Sequence, residues 1–250
     1  MLLIIPSIEI INRKCAWKVK YINGFLGIDD PIEMAKLWRK ENAKSLHVTD
    51  VDGAFEGYPV NFDIIKQIVK NVDIPVELGG GLRTVHDVEQ AFENGIYRAV
   101  IGTMLVENPD QARRTIEKFG SNKIVLGIDT KNYQVAIKGG KEYSGLTPIS
   151  FASSAKQLGF RRLLYTDVIT DATTRKPNFE AIKSLAEKVQ MRITVSGGIS
   201  GLQDLLMLQE LEPLGIDSVI IGRALYENKF SCQGLWRLCE AENYPYTARI

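Results

Sequence analysis

A chain of 250 residues that is 45% hydrophobic and 24% charged, with a formal net charge of +1, can bury a large core without disulfides or bound metal. Lys and Arg are mixed with Asp and Glu, as in "LWRKENAK", which leaves no basic block or aromatic-basic alternation for a nucleic-acid backbone. A small anion held by a few cations and backbone N–H groups remains compatible with this balance. The three cysteines, Cys15, Cys232 and Cys239, lack zinc-type spacing with a histidine and read as reduced thiols of a cytoplasmic protein, the last two packed on one face of a helix. The opening run "MLLIIPSIEI" has no basic leader, is too short for a membrane span, and reads as a buried strand.

In chain order, short runs rich in Val, Ile and Leu alternate with longer amphipathic segments. Residues 2–10 and "PIEMAKLWRKENA" predict the first strand and helix, followed by "SLHVTDVD" with "NFDIIKQIVKNV" and by "IPVELGG" with "VHDVEQAFENG". The fourth to sixth pairs are "RAVIGT" with "NPDQARRTIEKFG", "KIVLGID" with "PISFASSAKQLG", and "RLLYTDV" with "NFEAIKSLAEKV". The last two are "RITVSGG" with "LQDLLMLQELEPLG", and "SVIIGRALY" with "CQGLWRLCEA". Eight strands apolar through their length, each followed by a helix, predict an α/β protein with a closed (β/α)8 TIM barrel. An open doubly wound sheet fits less well, given the even repeats and the lack of an early GxGxxG. No Pro- or Ser-rich linker interrupts the chain, so residues 1–250 read as one barrel domain. Glu9 matches Asp129, "LGGGLR" matches "VSGGIS" and "VIGT" matches "IIGR" at about half the chain's length, which predicts two half-barrels over roughly residues 1–120 and 121–250.

In such a barrel the reacting groups stand at the C-terminal ends of the strands and on the loops that follow. Glu9, Asp50, Asp52, Asp129, Asp167 and Asp171 hold such positions. Gly80, Gly81 and Arg83 open the helix after strand 3, Gly102 and Thr103 follow strand 4, Ser196, Gly197 and Gly198 follow strand 7, and Gly222 and Arg223 follow strand 8. One such glycine pair would be read as a tight turn. Four glycine-bearing loops in symmetric register predict two anion sites on opposite sides of the mouth, and hence a long substrate with a phosphate at each end. Between them, Glu9 and Asp129 face each other, a pair suited to take a proton from a substrate carbon and to protonate a departing or ring oxygen. Asp50, Asp52 and Asp167, in the matched loops "HVTDVDGA" and "YTDVITDATT", suit ligand orientation and backbone capping equally. His47, inside strand 2, reads as a hydrogen-bonded structural histidine, and His86 as solvated at the start of the third helix. Trp38 and Trp236 read as core, while Trp17, after the first strand, borders the mouth with its role open.

"LHVTDVDGAFEG", "VELGGGLRT", "VLGID", "YTDV", "VSGGIS" and "VIIGRALYENKF" together resemble the aminoimidazole carboxamide ribotide isomerases of histidine biosynthesis, in order and over almost the whole chain. The resemblance implies a cofactor-free, metal-free Amadori rearrangement, in which an aminoaldose bearing two phosphates opens and becomes the aminoketose. The implied partner is that small molecule, with no nucleic acid, membrane or dedicated protein partner. The resemblance places the base on Glu9, the acid on Asp129 and an orienting hydroxyl on Thr166. It also departs from the family in four places. Glu9 stands where the family has aspartate. In "RKCAW", Arg13 replaces a glycine and Trp17 an arginine. Gly140 replaces a tryptophan of the strand 5 loop, and Ala172 replaces the glycine of the strand 6 loop. These changes fall in substrate-handling loops while the phosphate loops keep their pattern, so a second expectation is a paralogue that binds a related phosphorylated ligand with altered or no catalysis. The related cyclase, which works with a glutaminase, shares the half-barrel plan, but "HVTDVDGA" and "YTDV" resemble the isomerase more closely.

Overall fold

The computed structural model describes residues 2–21, 24–25, 27–168 and 176–229. Its parallel strands are β1 (Leu3–Ile11), β2 (Leu46–Asp50), β3 (Val76–Gly79), β4 (Arg98–Ile101), β5 (Ile124–Lys131), β6 (Arg162–Asp167), β7 (Arg192–Ser196) and β8 (Ile216–Ile221). Each pairs with the next, and β8 pairs back onto β1 with Leu3 opposite Ser218, so the sheet closes. This is the (β/α)8 barrel the sequence predicts. Alternation along the strands divides the core in two. Ile5, Val100, Val125, Leu164 and Ile220 form a separate cluster that fills the barrel interior, while Ile4, Ile8 and Ile10 join the larger layer between strands and helices.

The helices that follow β1 to β7 are α1 (Pro31–Lys40), α2 (Phe62–Asn71), α3 (Val85–Glu93), α4 (Pro109–Phe119), α5 (Pro148–Gln157), α6 (Phe179–Val189) and α7 (Leu202–Gln209). Their starts are written locally: Asp30, Asn108 and Thr147 cap helices whose first residue is proline, and Thr84 and Asp87 form a capping box on α3. The seventh helix stops at Gln209, short of its predicted end, because Pro213 cannot continue it; Glu212–Leu214 forms a 3-10 turn instead. The predicted eighth helix, with Cys232, Trp236 and Cys239, lies outside the described residues, as do Asp171 and Ala172. Trp38 is core, packed edge-on against Tyr226 with ring centroids 5.2 Å apart. Burial, helped by the charges of Asp30 and Asp29, pushes the Cys15 thiol up to about 12, so it stays protonated.

Features the sequence does not announce cluster at the two ends of the barrel. Short helices, Val51–Glu56, Thr103–Glu107 and Arg223–Tyr226, follow β2, β4 and β8 directly. β1 and β5 run past the mouth and reverse through two-residue turns, Asn12–Arg13 with φ of +49° and +66°, and Asn132–Tyr133 with φ of +53° and +61°. Positive φ at both central residues is the type I′ geometry that suits a hairpin's twist. At the opposite end, Arg162 donates to both carboxylate oxygens of Asp217 at 2.6 and 2.5 Å, with Thr194 and Ser218 closing the network. Burial opposes ionisation of Asp217, but the hydrogen bonds and charge of Arg162, with Ser218 and Arg192, hold its carboxyl below the usual range. Among the described residues no helix is long and apolar enough to cross a membrane.

Candidate active site

The open end of the barrel holds a cavity of about 340 Å³ lined by Glu9 and Asp129 together, within the size range of small-molecule sites. Three strands separate β1 from β5 in either direction around the barrel, so the two acids lie on opposite walls. Both occupy inward positions of their strands, Glu9 two residues beyond Ser7 and Asp129 two beyond Gly127, and all four line the cavity. Glu9 is half-buried, whereas Asp129 is exposed. The indole Nε1 of Trp17 donates to Glu9 Oε2 at 3.2 Å. Thr166 lies directly beside Asp129 in the β5–β6 register and faces the same space.

The glycine loops repeat one backbone conformation on two sides of the mouth. Gly80 and Gly81 have φ of +95° and +75°, and Gly197 and Gly198 have +90° and +74°. At the first pair, close backbone approach already demands glycine: a Cβ on Gly80 would sit 2.1 Å from Asp50 O, and one on Gly81 would sit 2.8 Å from the Tyr58 carbonyl. Gly102 is likewise pressed against Gly127 O, 2.6 Å from a built Cβ. Glycine alone therefore does not argue for an anion. Gly197, Gly198, Gly222 and Arg223 border one small cleft after β7 and β8. Gly80, Arg83, Gly102 and Thr103 border the main cavity after β3 and β4, while Gly81 packs against the Tyr58 backbone. Burial pushes the Arg83 guanidinium down, against the charges of Glu107 and Asp87, and its Nη2 donates to Ala54 O at 3.2 Å. Thr103 Oγ1 accepts from Lys138 N–H at 3.0 Å, which ties the β5 hairpin to the loop after β4.

The acids after β2 belong to the scaffold. Asp50 is fully buried and accepts from the N–H groups of Gly53, Val60 and Asn61 and from Asn61 Nδ2 at 2.7 to 2.9 Å. Of the two roles left open for it, capping is the one the contacts display. Asp52 accepts from Asn12 N–H and Asn61 Nδ2, bracing the β1 turn against the β2 loop. Asp167 ends β6 opposite Thr130. His86 is exposed in the first turn of α3. His47 is hydrogen-bonded, as its place inside a strand suggests: Nδ1 meets Glu77 Oε1 at 3.0 Å and Nε2 meets Thr49 Oγ1 at 3.2 Å. His47 and Thr49 also border the cavity, so this pair connects the barrel wall to the site. Sequence reasoning passed over Glu77, although it carries the signal that marked Glu9, an acid at an inward position of an apolar strand. It also passed over Phe55, exposed at the rim with the Lys141 ammonium 4.8 Å from its ring. Gly140 lies in the hairpin that borders the mouth, at φ +86°.

The sequence matches a family described as histidine biosynthesis protein over residues 3–231. A relative from Chloroherpeton thalassium is 47% identical over 241 residues, 96% of this chain and 92% of its own. One from Chlorobium phaeobacteroides is 45% identical over 237 residues, covering 94% and 91%, and one from Salinibacter ruber is 42% identical over 239 residues, covering 94% and 93%. All three are named as isomerases of a phosphoribosyl imidazole-4-carboxamide that carries a (5-phosphoribosylamino)methylideneamino group. These names favour the isomerase over the paralogue without catalysis.

Proposed function

The chain belongs to the histidine biosynthesis protein family, and from that premise we propose that it catalyses the isomerisation for which its relatives are named. The reaction is an aldose-to-ketose rearrangement of a small imidazole carboxamide with two phosphoribosyl arms. Asp129 protonates the ring oxygen of the aminoribose and opens it. Opening breaks the C1–O bond and leaves a C1=N imine; Glu9 then takes the proton from C2, and the resulting amino enol gains a proton at C1 and loses one from the C2 hydroxyl to become the aminoketose. Thr166, beside Asp129, orients the opening sugar. Gly197, Gly198, Gly222 and Arg223 hold one phosphate, and Gly80, Gly81, Arg83, Gly102 and Thr103 hold the other. Proton transfer by two positioned carboxylates needs no cofactor. In this reading the protein is a single cytoplasmic barrel domain built from two half-barrels, whose partner is its small-molecule substrate.

The observation that carries the reading is the placement of Glu9 and Asp129 on opposite strands lining one cavity. Its test is steady-state turnover of the relatives' substrate by the purified chain and by Glu9→Gln. The wild type turns the substrate over, and the variant loses about a hundredfold or more in kcat, in the range general-base catalysis contributes. A wild type that binds the substrate without converting it, or a fully active Glu9→Gln, overturns the assignment.

A further inference from the structure

Trp17 has no part in the chemistry described so far, yet it touches both the acid and a phosphate loop. It follows the return strand of the β1 hairpin, where Ala16 N–H donates to Glu9 O at 2.8 Å. That backbone bond fixes the residue one step further on. The Trp17 indole N–H, which can only donate, meets Glu9 Oε2 at 3.2 Å. Its ring lies 5.6 Å from the guanidinium carbon of Arg223, within cation–π reach. Arg223 borders the cleft after β7 and β8, and its neighbour Gly222 lies on the Oε1 side of Glu9, 3.8 Å from a built Cβ. Glu9, Trp17 and Arg223 thus form a continuous row from the reacting carboxylate to the phosphate loop. Trp17 nonetheless remains 36% exposed, so packing of the fold is not what its ring chiefly provides.

We propose that Trp17 is a positioning residue whose indole N–H holds the Glu9 carboxylate and whose ring, set against Arg223, ties that hold to the phosphate grip of the β7 and β8 loops. The proposal rests on Glu9 acting as the base. A glutamate reaches its carboxylate through one more rotatable bond than an aspartate, and a displacement of about 1 Å can cost about a hundredfold in rate. The hydrogen bond removes that freedom from one side, and the guanidinium over its ring limits where the indole itself can go.

Trp17→Phe keeps an aromatic ring and removes the donor. Its kcat and KM are measured across pH beside the wild type, Glu9→Gln, Glu9→Asp and the double variant Trp17→Phe/Glu9→Asp, with thermal melts of each. For Trp17→Phe, kcat falls about ten- to a hundredfold while KM changes less than about threefold. The acid limb of its kcat profile moves up by about one pH unit, because an ionised carboxylate has lost a donor. Glu9→Asp also slows the wild type, since the shorter acid leaves the indole, but in the Trp17→Phe background the same change costs little more. Wild-type kcat and an unmoved acid limb in Trp17→Phe, with Glu9→Gln inactive, overturn the role of Trp17 and leave the base assignment standing. A fall in kcat that tracks a lowered Tm without a shifted limb is a folding effect and overturns it equally. A fully active Glu9→Gln overturns the base assignment and this proposal with it.

Discussion

β1 and β5 end in the same backbone geometry. Each carries its acid three positions before an asparagine, Asn12 or Asn132, that opens a two-residue turn. Each returns antiparallel so that an alanine lies across from the acid, Ala16 from Glu9 and Ala136 from Asp129. The next residue is Trp17 on one side and Ile137 on the other. An indole can donate to a carboxylate; the aliphatic side chain of isoleucine cannot. Glu9 is accordingly half-buried and oriented, and Asp129 stands exposed at the root of a hairpin that continues to Tyr143. In the proposed reaction the oriented, partly desolvated Glu9 is the base and Asp129 the acid. A repeated backbone thus supplies two equivalent positions whose next return-strand residues differ, Trp17 beside one and Ile137 beside the other.

The largest effect expected from this comparison comes from the exposed side. Asp129→Asn preserves shape and strand register but cannot deliver the proton, so kcat falls about 10²- to 10⁴-fold. Because the position is exposed, stability changes by less than about 0.5 kcal/mol. Turnover and a thermal melt on one preparation check both halves. Retained turnover with a lowered Tm would make Asp129 a support of the hairpin and dissolve the parallel with Glu9.

The charged pair at the far end of the barrel supplies the contrasting case. Arg162, with its side chain 12% exposed, faces Asp217 in a fork, away from the cavity. Arg162→Met leaves the carboxylate to Ser218 and Arg192 alone and costs about 2 kcal/mol, while kcat stays within about twofold. The pH dependence has a definite sign. Arg162 lowers the folded-state value of Asp217, so its contribution is complete above the unfolded carboxyl value near about 4 and is lost as pH falls through the folded value. The gap in Tm between wild type and Asp217→Asn is therefore widest at neutral pH and closes in acid. A gap that does not narrow at all as pH falls through the acid range in which Asp217 takes up its proton in the folded state would assign the stabilisation to packing.

The barrel was legible because its signal is local and repeated: eight apolar runs with capped helices between them, and an acid interrupting the first run at Glu9. What the sequence left dark depends on register between distant segments. Glu77 meets His47 only because β2 and β3 pair with those residues side by side. The demand for glycine at Gly80 comes from the Asp50 carbonyl, thirty residues earlier. Trp17 finds Glu9 only once a two-residue turn has set the β1 hairpin, and nothing in "RKCAW" states the sign of φ that makes that turn.

That turn also yields the smallest expected effect. Arg13 adopts φ +66°, a left-handed conformation in which glycine carries no Cβ penalty and which type I′ turns favour at this position. Its guanidinium reaches Asp63 Oδ2 at 2.5 Å, but both side chains are more than half exposed, where such pairs contribute little and are screened by salt. Relief of the backbone outweighs loss of the pair, so Arg13→Gly raises Tm by about 2 °C and leaves kcat unchanged. The equivalent Tyr133, at φ +61°, differs in one respect: its hydroxyl accepts from Asn178 Nδ2 at 3.1 Å. Tyr133→Gly loses that tie to the cap of α6 and gains less than Arg13→Gly. If Arg13→Gly instead lowers Tm, and the loss disappears in 1 M salt, the ion pair and not the turn sets the stability of this hairpin.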